Sequence, residues 1–328
     1  MITFQVRAAG GLSPSGKRPV PSPAAGEVLV RVKASSLNAR DLLIAAGTYS
    51  VEVPPGRIPL SDGAGVVEAL GDGVTRWQVG DRVVSTFQPT WLYGPFPQWG
   101  ELHGTHRDGW LTEHIALDEQ SLVAVPDQLS FEEAATLPCA ALTAWSAVRG
   151  VGPGDALLVQ GSGGVSVFAL QFARLAGARV LATTSSDAKA RRLSALGASD
   201  VVNYVSTPQW GEQVRTLTGG GGVDRVVEIG GAGTLSQSID AVAYGGQIAL
   251  VGNLAPGNGM DVTRFFRRAA TLRSISVGSR NDFEQMNKVI SQNRLRPVID
   301  RVFPFDEAPE AFSHFEQGSR FGKVVISH

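Results

Sequence analysis

Only one cysteine, Cys139, occurs among the 328 residues of this chain. An internal disulfide is thereby excluded. So is a zinc site built from cysteines, which needs three or four protein ligands. Charge is also scarce: 18% of residues are charged and the formal net charge is −1. No run of lysine or arginine appears, so nucleic acid is not an expected partner. Long apolar runs are missing too. None reaches the roughly 20 residues that a spanning helix needs, so no membrane contact is expected. The opening "MITFQVRAAGG" alternates Ile2, Phe4 and Val6 as a strand does and does not read as a secretory leader. These absences predict a soluble, cytoplasmic protein. Apolar residues, at 43%, are plentiful enough for a large core. The length suggests about two domains at roughly 150 residues each.

Residues 1–122 read as short strands between turns. "GEVLVRVKASSL" places Val28, Val30 and Val32 on one face, and two β-rich runs flank the Gly-Asp-Gly turn at 71–73. The pattern predicts a β-rich, barrel-like unit. Residues 88–110, "QPTWLYGPFPQWGELHGTHRDGW", hold three Trp, three Pro and four Gly without periodicity. So long a loop is either pinned by its own aromatics or serves as a substrate lid. From about residue 123 the rhythm changes. Ser130 and Glu133 form a capping-box pattern ahead of a helical stretch. Six apolar runs then alternate with helical patterns, at 156–160, 179–183, 201–204, 224–229, 247–251 and 272–277. That alternation predicts an α/β domain, a doubly wound parallel six-stranded sheet of Rossmann type. The tail, 281–328, is too short for a core of its own and is expected to return to the first domain.

The first of those apolar runs leads straight into "GSGGVSVFALQFARLAG". Gly161 permits a tight turn, and Gly163 permits close backbone approach to a pyrophosphate. The amides at the start of the following helix, around Ser162, Gly164 and Val165, favour an anion. Ser166 stands where a third glycine is usual, and its small side chain is expected to keep the helix close to the strand. About 20 residues on, a carboxylate would bind the ribose hydroxyls of NAD. Here Thr183, Thr184, Ser185 and Ser186 fill that place, followed by Lys189. Hydroxyls and cations suit a 2′-phosphate, so the expected cofactor is NADPH.

Together the motifs resemble the zinc-free branch of the medium-chain dehydrogenase/reductase superfamily, near the quinone oxidoreductases. The resemblance is carried by "GEVLVRVKASSLNARDLLIAAGTY", "IPLSDGAGVVEALGDGVTRWQVGDRVV", "LSFEEAATLPCAALTAWSAV", "QGSGGVS" and "FGKVVIS", in the family's order. It implies a GroES-like catalytic domain (1–122 completed by 281–328) and a Rossmann NADP-binding domain (123–280). It also implies an active site in the cleft and a homodimer or homotetramer. Metal-dependent members take their zinc ligands where this chain has Asn38, Ser61 and Cys139, with Asp62 at the glutamate that follows the histidine, so no metal is expected. A metal at Glu101, His103 and His106 is not expected either. By position, Asn38 and Tyr49 are the catalytic candidates. Thr143, Tyr204, Gly230, Gly252, Asn253, Gly278, Ser279 and Lys323 join the glycine turn as cofactor contacts. The "VGS" at 277–279 is expected to end a strand, and Lys323 to reach a cofactor phosphate.

Reduction of an activated C=C bond needs only a hydrogen-bond donor where negative charge develops on oxygen. The expected substrate is therefore a quinone, an enone or another small carbonyl compound. A metal-free NADP-dependent alcohol dehydrogenase is one alternative, and a low-turnover NADPH-binding sensor or structural protein is another.

Overall fold

A computed structural model describes residues 1–8, 10–257 and 260–328. Fifteen strands lie among the described residues. The first seven are β1 (Thr3–Val6), β2 (Leu12–Ser15), β3 (Glu27–Ser36), β4 (Asp62–Leu70), β5 (Arg82–Ser85), β6 (His114–Asp118) and β7 (Leu122–Ala124). The next six are β8 (Ala156–Gln160), β9 (Arg179–Thr184), β10 (Asp200–Asn203), β11 (Val223–Glu228), β12 (Val242–Leu250) and β13 (Thr271–Ser274). The last two are β14 (Ile299–Pro304) and β15 (Lys323–Ser327).

Two compact units result, Met1–Leu142 with Val277–His328, and Thr143–Ser276. The stretch 123–142, expected with the Rossmann domain, thus belongs to the first unit. Hydrogen bonds explain why: Ser36 Oγ donates to the Ala135 carbonyl at 2.7 Å, and the Cys139 amide donates to Asp62 at 3.1 Å. Ser130 caps the short helix Phe131–Ala134 through a capping box with Glu133. Pro138 then lies in a π-helical turn, Leu137–Ala141, ahead of the helix Leu142–Val148.

In the first unit a seven-stranded, GroES-like sheet runs β14-β15-β3-β4-β5-β7, with β6 also paired to β3. β3 organises it. Its alternating Val28, Val30, Val32 and Ala34 are buried, as a half-buried strand requires. The returning tail pairs β15 antiparallel to β3, with Val325 opposite Ser36, so Lys323 enters beside the end of β3. Gly63 in β4 lies against the fully buried ring of Trp110. A Cβ there would stand 2.2 Å from the indole.

In the second unit the order β10-β9-β8-β11-β12-β13 is parallel throughout. Leu157, Leu158 and Val159 are fully buried, as expected of a central strand covered on both faces. The helix Gly164–Leu175 packs Val167, Phe168 and Phe172 inward, and Phe168 and Phe172 stack with ring centroids 6.1 Å apart. It stops at Gly177, whose φ of +85° few other residues tolerate.

The loop 88–110 is held by its own aromatics. Trp91, Phe96 and Trp99 stack edge to face with successive centroids 5.1 Å apart. Its carbonyls at Trp91 and Leu92 accept from the amides of Arg280 and Asn281. Gly63→Ala is expected to displace Trp110 and cost about 1–3 kcal/mol of stability, measurable by urea unfolding. An unchanged midpoint would show that the indole has room to move.

Candidate functional site

The first unit gathers a buried polar cluster where strand ends meet. Lys323 opens β15 and is only 2% exposed. Its Nζ donates to the Leu37 carbonyl and to Asn38 Oδ1, both at 2.7 Å, and lies 3.9 Å from Asp62 Oδ2. Asp62, fully buried at the start of β4, accepts from Ser61 Oγ at 2.7 Å and from the Cys139 amide. Asn38 is the N-cap residue of the helix Ala39–Ala45. Its amide nitrogen Nδ2 is buried and has no partner among the described residues. Asp41 Oδ2 accepts from the Asn38 backbone amide at 2.8 Å, while Oδ1 is buried without a partner among the described residues.

Burial dominates the electrostatics here. It pushes the Asp41 carboxyl up to about 6 against the opposing pull of Arg40. It also pushes the Cys139 thiol up to about 12, reinforced by Asp62. The Lys323 ammonium is lowered by burial and sustained in part by Asp62.

Tyr49 lies elsewhere in this unit. Its ring faces the Arg40 guanidinium at 5.2 Å, and it lines a cavity of ≈ 420 Å³ whose walls do not include Asn38. Arg40 itself donates to the His103 carbonyl at 3.2 Å and also stacks over Phe87. The loop histidines are engaged. His103 Nδ1 donates to the Asp108 carbonyl at 2.8 Å, and burial holds its pKa low. His106 Nδ1 accepts from the Leu102 amide, and Glu101 pairs with Arg107 at 2.7 Å. Among the described residues no group of three His, Cys, Asp or Glu side chains is gathered as a metal site would require.

Two expectations change. Gly278 and Ser279 end no strand: β13 stops at Ser274, and Ser279 instead caps the helix Arg280–Gln292, donating from Oγ to Asp282 at 2.8 Å. Lys323 directs its ammonium inward to Asn38, because the register of β15 on β3 places it beside Leu37.

The second unit presents the glycine turn as a cradle. Gly161 has φ +71°, Gly163 is the N-cap of the next helix, and a Cβ on either would meet nothing within 4 Å. Ser162 is buried; Gly164 and Val165 begin the helix. Ser166 donates to the Gln160 carbonyl at 2.5 Å, so the residue in the third glycine's place ties the helix back to β8.

Ser185, Ser186, Lys189 and Tyr204 lie just beyond the ends of β9 and β10. Ser185 is exposed, and Ser186 caps the helix Asp187–Ala195, accepting from the Lys189 amide at 3.3 Å. The Tyr204 amide donates to the Thr184 carbonyl at 2.9 Å. Asp187, the acid of this segment, accepts from Asn203 at 2.9 Å. Thr143, buried, is the first residue of this unit.

Sequence reading missed the network behind the turn. Glu228, fully buried, accepts from Gln160 Nε2 at 2.7 Å, from the Gly231 amide at 2.9 Å, and from the hydroxyls of Thr234 and Ser238. Gln160 Oε1 accepts from the amides of Ile229 and Gly230, the Gly252 amide donates to the Glu228 carbonyl, and Asn253 Oδ1 accepts from Ala232. The network fixes the carboxyl edge where ligands of such sheets bind. Its signal was available: "ALLVQ" and "RVVE" each close an apolar run with a polar residue.

One chain thus carries both a GroES-like unit and a doubly wound sheet with an open glycine turn, the architecture of a nucleotide-binding fold. Comparison with known proteins gives the family. Residues 24–127 match the model of the alcohol dehydrogenase GroES-like domain, and 164–292 that of the zinc-binding dehydrogenase. A zinc-type alcohol dehydrogenase-like protein of Schizosaccharomyces pombe is 43% identical over 314 residues, 92% of this chain and 90% of that one. A Sus scrofa quinone oxidoreductase is 26% identical over 94% of this chain and 91% of its own. Among solved structures, an NAD-dependent alcohol dehydrogenase has a TM-score of 0.92 at 38% identity, covering 100% of both chains. A mycobacterial protein complexed with NADPH has a TM-score of 0.84 at 29% identity, also covering 100% of both. The chain belongs to the medium-chain dehydrogenase/reductase superfamily, and it is an oxidoreductase of that family.

The family model's name raises zinc, and the donor set does not fit it. The Asn38 oxygen faces the Lys323 ammonium, Ser61 Oγ donates to Asp62, and Cys139 is left as the one soft donor where a catalytic zinc takes three protein ligands. The open glycine turn does fit a dinucleotide.

Asp41 makes stability depend on pH. Its folded pKa lies above the unfolded value, so the protonated form is favoured by folding. Stability is therefore lost as pH rises from about 4 to about 6, by about 3 kcal/mol at most. Asp41→Asn is expected to remove this step, so that its unfolding free energy gains on the native protein between pH 4 and pH 7. Parallel pH profiles would contradict the burial of a raised carboxyl.

Proposed function

We propose that this chain is an NADPH-dependent, zinc-independent reductase of quinones or α,β-unsaturated carbonyl compounds. The observation that carries the reading is Asn38 Nδ2, a buried neutral donor with no partner among the described residues, in a cluster unsuited to zinc. An unsatisfied buried donor costs on the order of 1–3 kcal/mol. A substrate oxygen that takes that hydrogen bond recovers the cost, and most fully when the oxygen is negative.

The Gly161–Val165 turn would hold the dinucleotide's pyrophosphate, and Ser185, Ser186, Lys189 and Tyr204 the 2′-phosphate. A reduced nicotinamide, when bound, supplies a hydride. Conjugate addition to the β-carbon moves the electron pair of the C=C bond towards the carbonyl, so negative charge arrives on oxygen. Asn38 then stabilises that oxygen by donating from Nδ2, and water supplies the proton that completes the product. The solved relatives name both NAD and NADPH. The serine–lysine–tyrosine grouping supports NADPH here, because the segment's acid, Asp187, already accepts from Asn203.

Carbonyl–alcohol exchange is the second reading, favoured by the relatives named as alcohol dehydrogenases. A panel separates the two. Quinones and enones are expected to consume NADPH, with little NADP⁺ reduction by alcohols; the reverse pattern would overturn the proposal. Dialysis against a chelator is expected to leave turnover unchanged, whereas loss restored by zinc would contradict the donor-set argument. Lys189→Ala should raise KM for NADPH by about 10- to 100-fold, the loss of one charge-assisted hydrogen bond, and spare NADH. Equal losses with both cofactors would refute the 2′-phosphate assignment.

A further inference from the structure

We infer that Lys323 is a positioning residue: by donating to Asn38 Oδ1 it fixes the orientation of the Asn38 carboxamide and leaves Nδ2 as the donor for substrate oxygen. The inference rests on the reductase reading for what Nδ2 meets, but its geometry stands apart from that reading.

An ammonium has three donors and no acceptor. An asparagine amide facing it at 2.7 Å can present only its oxygen. The usual ambiguity between amide oxygen and nitrogen is therefore resolved by chemistry. The local backbone supports the same orientation. An N-cap asparagine ordinarily turns its oxygen back to an amide of its own helix. In Asn38 that oxygen accepts from Lys323 Nζ, and the Asp41 carboxylate accepts from the Asn38 backbone amide and holds it in place. Lys323 is itself fixed by the Leu37 carbonyl and by Asp62, which is anchored in turn by Ser61 and the Cys139 amide. The chain of contacts ends on rigid strand termini. A cation beside the carboxamide oxygen also draws electron density from the nitrogen, so the N–H bonds become stronger donors. At 2% exposure the ammonium is directed to these partners and away from solvent.

The test combines Lys323→Met, Lys323→Gln and Asn38→Ala in the full-length protein. Lys323→Met is expected to lower kcat by about 10- to 100-fold, with the Kd for NADPH within about twofold of the native value. In the Asn38→Ala background the same change should cost less than about twofold further, since both act through one donor. Lys323→Gln, whose amide can donate to Oδ1, should restore part of the loss. A second arm needs no turnover. The Asn38 side-chain NH₂ pair in the ¹⁵N–¹H spectrum, identified by its disappearance in Asn38→Ala, should move in Lys323→Met and return towards its native position in Lys323→Gln. If Lys323→Met fails to fold because Asp62 is left uncompensated, Lys323→Met with Asp62→Asn serves in its place. A weakened NADPH affinity with an unmoved Asn38 signal would overturn the inference in favour of a phosphate contact. Fully multiplicative losses would overturn it as well. Failure of the native protein on every quinone and enone would sink the reductase reading alone, because the spectral arm still decides the orientation of Asn38.

Discussion

The Lys323 ammonium, buried against Asn38, the Leu37 carbonyl and Asp62, is the interaction on which the chemistry of the first unit turns. A lysine almost fully removed from water is costly unless its donors are satisfied and a counter-charge lies near. Satisfying it draws together the end of β3, the start of β4, the π-helical turn that contains Pro138 and the first residue of β15. Removing any one of these segments would leave a buried charge exposed to an apolar surrounding. Asn38 and Asp62 together frame the Lys323 ammonium.

A parallel logic governs the second unit. Its sheet ends are held by a buried carboxylate, Glu228, that collects two hydroxyls, an amide side chain and a backbone amide. Gln160, at the end of β8, serves both as donor to that carboxylate and as acceptor for the chain beyond β11. Rigidity at this edge lets Gly161 and Gly163 stay open to a ligand without collapsing onto the strands. Ser166 adds one more tie, which glycine in its place could not make.

Much of this was legible from sequence because period and punctuation are local signals. The six parallel strands, the helix after Gly163 and the capping box at Ser130 all follow from residue spacing. β12 proved longer than its apolar run, since Tyr244 to Gly246 extend it without hydrophobic patterning. The stretch 123–142 was expected in the other domain because a helical pattern does not reveal which sheet it packs against. Lys323 was read as a phosphate contact for a similar reason: its partners lie some 285 residues away along the chain, and only the register of β15 on β3 brings them together. Asn38 was legible as a candidate by position, but the direction of its amide depends on Lys323 and has no trace in the local sequence.

Reduction of an enone with NADPH carrying deuterium at the transferable position tests the central claim most directly. The account predicts deuterium on the β-carbon of a saturated ketone. Deuterium on the carbonyl carbon of an allylic alcohol would contradict it and move the chemistry to carbonyl–alcohol exchange.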